Sequence, residues 1–107
     1  MELRTSKRND STLARTPINP TSPAEIGKRL ARTRRALGYT TTKMCKLMGS
    51  VSHGSAYTNY EMGRRRISLD HALALCDECG LTLDWIYRGL IQGLPEHLQR
   101  AIQSSVD

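Results

Sequence analysis

The chain has 107 residues, 38% of them hydrophobic, with no Phe, one Trp and a net charge of +6. That length points to one domain with a modest, mostly aliphatic core. No apolar run approaches the ~20 residues of a membrane span, the polar, basic N-terminus lacks the apolar stretch of a signal peptide, and its three cysteines form no secreted disulfide framework, so a cytoplasmic protein is expected.

The charge is unevenly spread. Residues 1–23 carry +2, residues 24–66 carry +8 and residues 67–107 carry −4. Positive charge concentrated on one segment is the electrostatic footprint of a polyanion-binding face. Taken alone, a basic run reads first as a solubilising surface.

In chain order, residues 1–22 are rich in Thr, Ser, Asn, Pro and Arg and show no hydrophobic period. They read as a disordered basic arm. The first helix is predicted over Pro23–Leu37, with Ser22 as N-cap, Pro23 at the first helical position, Glu25 near the positive end and Gly38 as stop. Its inward stripe is Ile26, Leu30, Arg34 and Leu37, while Lys28, Arg29, Arg32 and Arg35 fall mostly on outer faces. A core-facing Arg34 needs a buried partner, and Glu61 is the natural candidate. A second helix runs from Thr41 to about Met48, with Met44, Leu47 and Met48 on one side. After the turn Gly49–Gly54, a third helix spans Ser55 to Met62, and Gly63 ends it. Ser68 caps a fourth helix, Leu69–Cys79, stopped by Gly80. Its apolar stripe is read as Leu69, Ala72, Leu73 and Cys76, with Leu75 and Cys79 at the edges. Thr82 caps a short helix, Leu83–Arg88, before Gly89. A last helix, Pro95 to about Ser104, places Leu94, Leu98, Ala101 and Ile102 on one face. No alternating run suggests a strand. The expected fold is all-α: a five-helix bundle over residues 23–90 and an extra amphipathic C-terminal helix and tail over residues 91–107.

Two short helices joined by a Gly-containing turn form the helix-turn-helix arrangement, whose second helix can enter a DNA major groove. The outward face of that helix is small and polar: Ser55, Ala56, Thr58 and Asn59. An ordinary solvated face would carry Lys and Glu, whereas this one suits base edges, with Asn able to pair bidentately with adenine. His53, in the turn, is a further contact candidate for a base or a phosphate. Tyr57 and Tyr60 read as packing residues. Thr41, Thr42 and Lys43 open the preceding helix, whose N-terminal amides can hold a phosphate. Arg64, Arg65 and Arg66 follow the third helix and are placed to meet the sugar–phosphate backbone, adding affinity without sequence information. The arm is either idle or rests on the backbone or minor groove.

Cys76-Asp77-Glu78-Cys79 has metal-site spacing, with His71 five residues earlier. A structural zinc site needs four ligands, no second C-x-x-C exists, and both cysteines occupy core-type positions. No metal or cofactor is expected. No nucleophile–base set, Walker loop or GxGxxG is present, so no enzymatic activity is expected.

The strings IGKRLARTRRALGYTTTKMCKLMG and YTNYEMGRRRISLDHALALCDECGLTLDWIYRGL resemble the Cro/phage-repressor (XRE-type) helix-turn-helix regulators, and the run Leu83–Leu98, with WIYRG and GLP, looks like small bacterial members. The most specific parts are the Tyr60-Glu61-x-Gly63-Arg64-Arg65 exit and the Leu83-Asp84-Trp85-Ile86 segment with Gly89 behind it. The resemblance covers roughly residues 24–90. It implies a lambda-repressor-like DNA-binding bundle, pairing of Arg34 with Glu61, and a dimer on a two-fold operator. Two departures stand out: Thr41 occupies a position where the family usually has Gln, and the turn from Gly49 to Ser55 is about two residues longer than the family's usual turn. The leading reading is therefore a sequence-specific regulator of transcription, a repressor acting by occlusion, with double-stranded DNA and a second copy as partners and neither membrane nor small-molecule ligand. Dimerisation is assigned to Trp85, Ile86, Leu90, Leu94 and Leu98. The alternative is a protein-interaction module such as an antitoxin or anti-repressor.

Overall fold

The computed structural model of the protein describes residues 18–50 and 54–104, and it is helical throughout, with no strand among the described residues. The elements are α1 (Pro23–Leu37), α2 (Thr41–Leu47), α3 (Ser55–Glu61), α4 (Leu69–Cys79), a π turn (Asp84–Arg88) and α5 (Glu96–Ser104). Their ends follow local chemistry. The Ser22, Thr40 and Ser68 hydroxyls accept from the amides of Glu25, Lys43 and His71 at 3.1, 3.0 and 3.2 Å, which are the expected N-cap bonds. Gly38, Gly80 and Gly89 end their elements in the left-handed conformation, which glycine adopts without strain.

The centre of the molecule is α1, against which α3, the π turn and α5 all pack. Ile26 and Leu30 lie in its core face, as the stripe predicts, but Ala31 and Thr33 are buried too. The helix is covered on more than one side. One continuous apolar cluster joins Ile26, Leu30, Met44, Tyr57, Leu75, Ile86, Leu98 and Ile102. The C-terminal helix is thus part of the same core rather than an appendage.

Four expectations are corrected. Arg29, placed on an outer face by its spacing, is only 9% exposed. Its Nε and Nη2 donate to the Ile86 carbonyl at 3.1 and 2.9 Å, and Nη2 also donates to the Pro20 carbonyl. Burial pulls its pKa down, and nearby Glu25 opposes that. The π turn and the segment before α1 supply this cover, and neither is visible in the period of α1 itself. Second, α4 is rotated relative to its predicted stripe. Ala72 and Leu75 are fully buried, Cys76 and Cys79 are half-buried, and Leu69 and Leu73 are 55% and 43% exposed. Third, Trp85, Ile86, Leu94 and Leu98, assigned to a dimer surface, are buried within the chain, and of that set only Leu90 is exposed. Trp85 Nε1 donates to Thr33 Oγ1 at 2.9 Å, and that hydroxyl donates to the Arg29 carbonyl at 2.7 Å. Fourth, the described end of the expected arm is bonded to itself and to the domain. Asn19 and Thr21 close a turn through the Asn19 side chain, and Arg66 Nε donates to the Thr21 carbonyl at 2.8 Å. The remainder of the expected arm, residues 1–17, lies outside the described residues.

The segment expected as a short helix at Leu83–Arg88 is a π turn in which the Gly89 amide reaches back to the Asp84 carbonyl. Thr82 Oγ1 caps it by accepting from the Trp85 amide at 3.0 Å. The wider turn puts the adjacent residues Trp85 and Ile86 into the core together and leaves the Ile86 carbonyl for Arg29.

Candidate nucleic-acid interface

The third helix has no side-chain cap, and Gly54 begins it at φ 104°. What fixes it is its inner side. Tyr57 is fully buried and its hydroxyl donates to the Leu30 carbonyl at 2.7 Å. Burial drives the Tyr57 phenol well above its ordinary pKa, so the hydroxyl stays a donor. Arg34 holds the far end: Nε and Nη2 donate to the two Glu61 carboxylate oxygens at 2.7 and 3.3 Å, and Nη1 reaches the Tyr39 carbonyl at 3.3 Å. Both side chains are half-buried, and the hydrogen bond to Glu61 raises the Arg34 pKa further. A two-point Arg–carboxylate pair fixes orientation as well as distance.

Gly27 makes this approach possible. A Cβ there would lie 2.5 Å from the carbonyl oxygens of both Tyr60 and Glu61. No side chain fits at that crossing, so the last turn of α3 sits directly on the backbone of α1. Sequence reasoning passed over Gly27, although a glycine inside a strongly patterned helix is itself the signal.

The inner contacts leave the opposite side of α3 open. Ser55, Ala56, Asn59 and Arg65, all expected at the interface, line one open cleft of about 200 Å³ together with Tyr60 and His71. Thr58 is half-exposed outside that lining. The start of α2 abuts the start of α3: a Cβ on Gly54 would meet the Thr42 amide and hydroxyl at 3.3 Å and the Thr41 hydroxyl at 3.4 Å. Thr41 and Thr42 are therefore beside the start of α3, while Lys43 holds its ammonium 4.8 Å from the centre of the Tyr39 ring. His53 lies outside the described residues.

The three exit arginines are exposed but not equivalent. Arg64 Nη1 donates to Asn59 Oδ1 at 3.0 Å, so the Asn59 amide group already has its acceptor engaged. Arg66 turns to the Thr21 carbonyl. Arg65 makes no hydrogen bond or ion pair among the described residues and lines the cleft. Gly63, at φ 74°, produces the exit, and a Cβ there would press on Ala24 Cα at 3.1 Å.

The cysteines of α4 are free. Burial pushes both thiols up, Cys79 to about 11, with the neighbouring acids Glu78 and Asp77 adding to it. Such thiols are poor thiolate ligands at neutral pH. No helix among the described residues is long and apolar enough to cross a membrane.

A helix-turn-helix family model matches residues 30–86, from the middle of α1 into the π turn. Neither a curated protein nor a solved structure matches the chain. The matched span holds the paired short helices, the arginine exit and the π-turn tryptophan, and the chain belongs to the Cro/phage-repressor (XRE-type) helix-turn-helix family of DNA-binding transcription regulators.

Proposed function

We propose that the protein is a sequence-specific transcriptional repressor that occupies a two-fold operator as a homodimer and works by binding rather than by catalysis. The supporting observation is the division of α3. Its inner residues Tyr57 and Glu61 are bonded to α1, while Ser55, Ala56 and Asn59 line an open cleft beside Arg65. A rigid helix with small polar groups outward, set in a segment of net charge +8, suits base edges at its centre and phosphates at its rim. Thr41, Thr42 and the arginines supply the rim. Two copies are invoked because one helix of this length offers too few base contacts for a genomic address. Of the residues assigned to pairing, Leu90 is the one a second copy can reach.

The test is selection of bound sequences from random duplex DNA at ~150 mM salt, where weak surface attraction is screened. Enrichment of a palindrome with half-sites about one helical turn apart supports the dimeric repressor. Absence of any enriched sequence from a folded protein overturns it.

Exposed Leu69 and Leu73 on α4 favour a second reading, a module such as an antitoxin or anti-repressor that engages a protein. Salt separates the two: phosphate contacts weaken steeply with salt, whereas an apolar interface does not.

A further inference from the structure

The cleft outside α3 contains two groups that the DNA reading has not used. His71, on the first turn of α4, is half-buried and lines it. Tyr60, on α3, is 6% exposed, and its hydroxyl lies 2.7 Å from His71 Nδ1. The two rings meet edge-on with centroids 5.8 Å apart. Ring contact and hydrogen bond together fix the imidazole in place. The backbone of His71 is fixed as well, since its amide donates to Ser68 Oγ at 3.2 Å. When the tyrosine hydroxyl donates to Nδ1, the imidazole proton sits on Nε2. Nε2 makes no hydrogen bond among the described residues.

A buried tyrosine hydroxyl needs a partner, and a core could supply a carbonyl, as Leu30 does for Tyr57. Here the partner is a ring at the edge of an open cleft, next to the Arg65 guanidinium, which has no hydrogen bond or ion pair among the described residues. Arg65 brings charge to that cleft, and His71, with Tyr60 donating to its Nδ1, brings an Nε2–H donor. Ser55 and Asn59 line it as well. A tetrahedral anion with several acceptor oxygens can engage Arg65 and His71 together, beside the small groups of α3 that suit a base edge.

We propose that this cleft holds a DNA backbone phosphate, contacted by Arg65 and by His71 Nε2, with Tyr60 as the positioning residue for His71. This rests on the DNA-binding reading and adds to it a phosphate contact that joins α4 to the recognition helix. Asn59, with one bond from Arg64 already on its oxygen, then stands at the junction of base reading and backbone clamping.

The experiment is a double-mutant cycle on the full chain, with binding to a mixed-sequence duplex followed by fluorescence anisotropy and with Arg65→Ala as a reference. H71A should weaken binding roughly three- to tenfold, the net range of one ordinary hydrogen bond at a water-accessible site. Y60F should give a similar loss although it touches no DNA. The double variant should lose no more than H71A alone, because the two act as a unit. Independent, additive losses would refute the positioning role, and binding by H71A within twofold of the parent would refute the contact. NMR of the unaltered protein keeps the idea testable should a variant fail to fold. The His71 imidazole signals should shift along with the α3 amides as duplex is added, and an unmoved imidazole overturns the proposal. If R65A also leaves binding unchanged, or the parent binds no duplex, the DNA reading itself has failed. If R65A weakens binding and H71A does not, only the phosphate cleft has.

Discussion

On its inner side α3 is held at three points: the Tyr57 hydroxyl on the Leu30 carbonyl, Glu61 on Arg34, and its last carbonyls against the bare Cα of Gly27. On its outer side the same short helix presents Ser55, Ala56 and Asn59 to an open cleft. The two sides differ in what a substitution can reach. Inner changes act on the position of the helix, and therefore on stability and on everything the helix carries. Outer changes leave those three contacts in place and, on the proposed DNA-binding reading, act on recognition. A reading surface that carried structural duty could not vary its contacts without unfolding.

The sharpest way to break this comparison is Gly27→Ala. The new methyl must displace two backbone carbonyls, which cannot rotate away as a side chain would. Overpacking typically costs about 1–3 kcal/mol and more where backbone must shift, so this variant is expected at or above the top of that range. Thermal melting checks it: a melting temperature within about 4 °C of the parent, less than the shift for 1 kcal/mol in a domain of this size, would show that α3 can move off α1 cheaply.

Glu61→Ala comes next. It removes two hydrogen bonds from a half-buried guanidinium that water can still reach, so a loss of about 1–3 kcal/mol is expected, less than for a fully buried ion pair. Urea denaturation of E61A measures it, and an unchanged midpoint would mean the pair is ornamental to the fold.

The outer side should respond in DNA binding instead. Arg65→Ala should weaken cognate and random duplexes alike and reduce the salt slope by about one unit, whereas Asn59→Ala should cost about 1–3 kcal/mol on the cognate site alone. Both should stay within about 0.5 kcal/mol of the parent in stability. If either variant melts early, the two sides of the helix are not independent.

The smallest effect concerns α4. Cys79 is an acid whose neutral form is favoured by burial, with its pKa near 11, so the thiolate is scarce in the folded protein at pH 8. Alkylation of Cys79 by iodoacetamide at pH 8 should be slower than in urea-unfolded chain and should accelerate as pH rises toward 11. Equal rates in folded and unfolded protein would mean that α4 does not shield that edge.

Legibility followed the range of the interactions. Helix ends were readable because a cap bond spans three residues, as from Ser22 to Glu25, and the stop glycines act at their own φ. The Arg34–Glu61 pair was readable because a charge in an apolar stripe demands an opposite one and few acids were on offer. The outward set Ser55, Ala56, Thr58 and Asn59 was readable as an unusual composition for an exposed helix, and the structure places all but Thr58 beside Arg65 in one cleft. The two inward tyrosines were readable from their spacing, but not that one of them ends on His71.

What local pattern could not decide was which arc of each helix would be covered. The predicted and observed stripes of α4 overlap at Ala72 and Cys76, and only the packing of the neighbours turned Leu75 inward and left Leu69 and Leu73 out. Arg29 looked solvated because its partner carbonyl, at Ile86, is 57 residues away in sequence. Trp85, Ile86, Leu94 and Leu98 looked like an oligomer surface because nothing near them in the chain requires their burial, yet α1 lies beneath them. Short-range hydrogen bonding and charge are written residue by residue, so the amino-acid order alone settled where helices begin, where they stop and where positive charge gathers. Burial depends on surfaces brought together from distant parts of the chain, so the choice of inner and outer faces belonged to the folded whole.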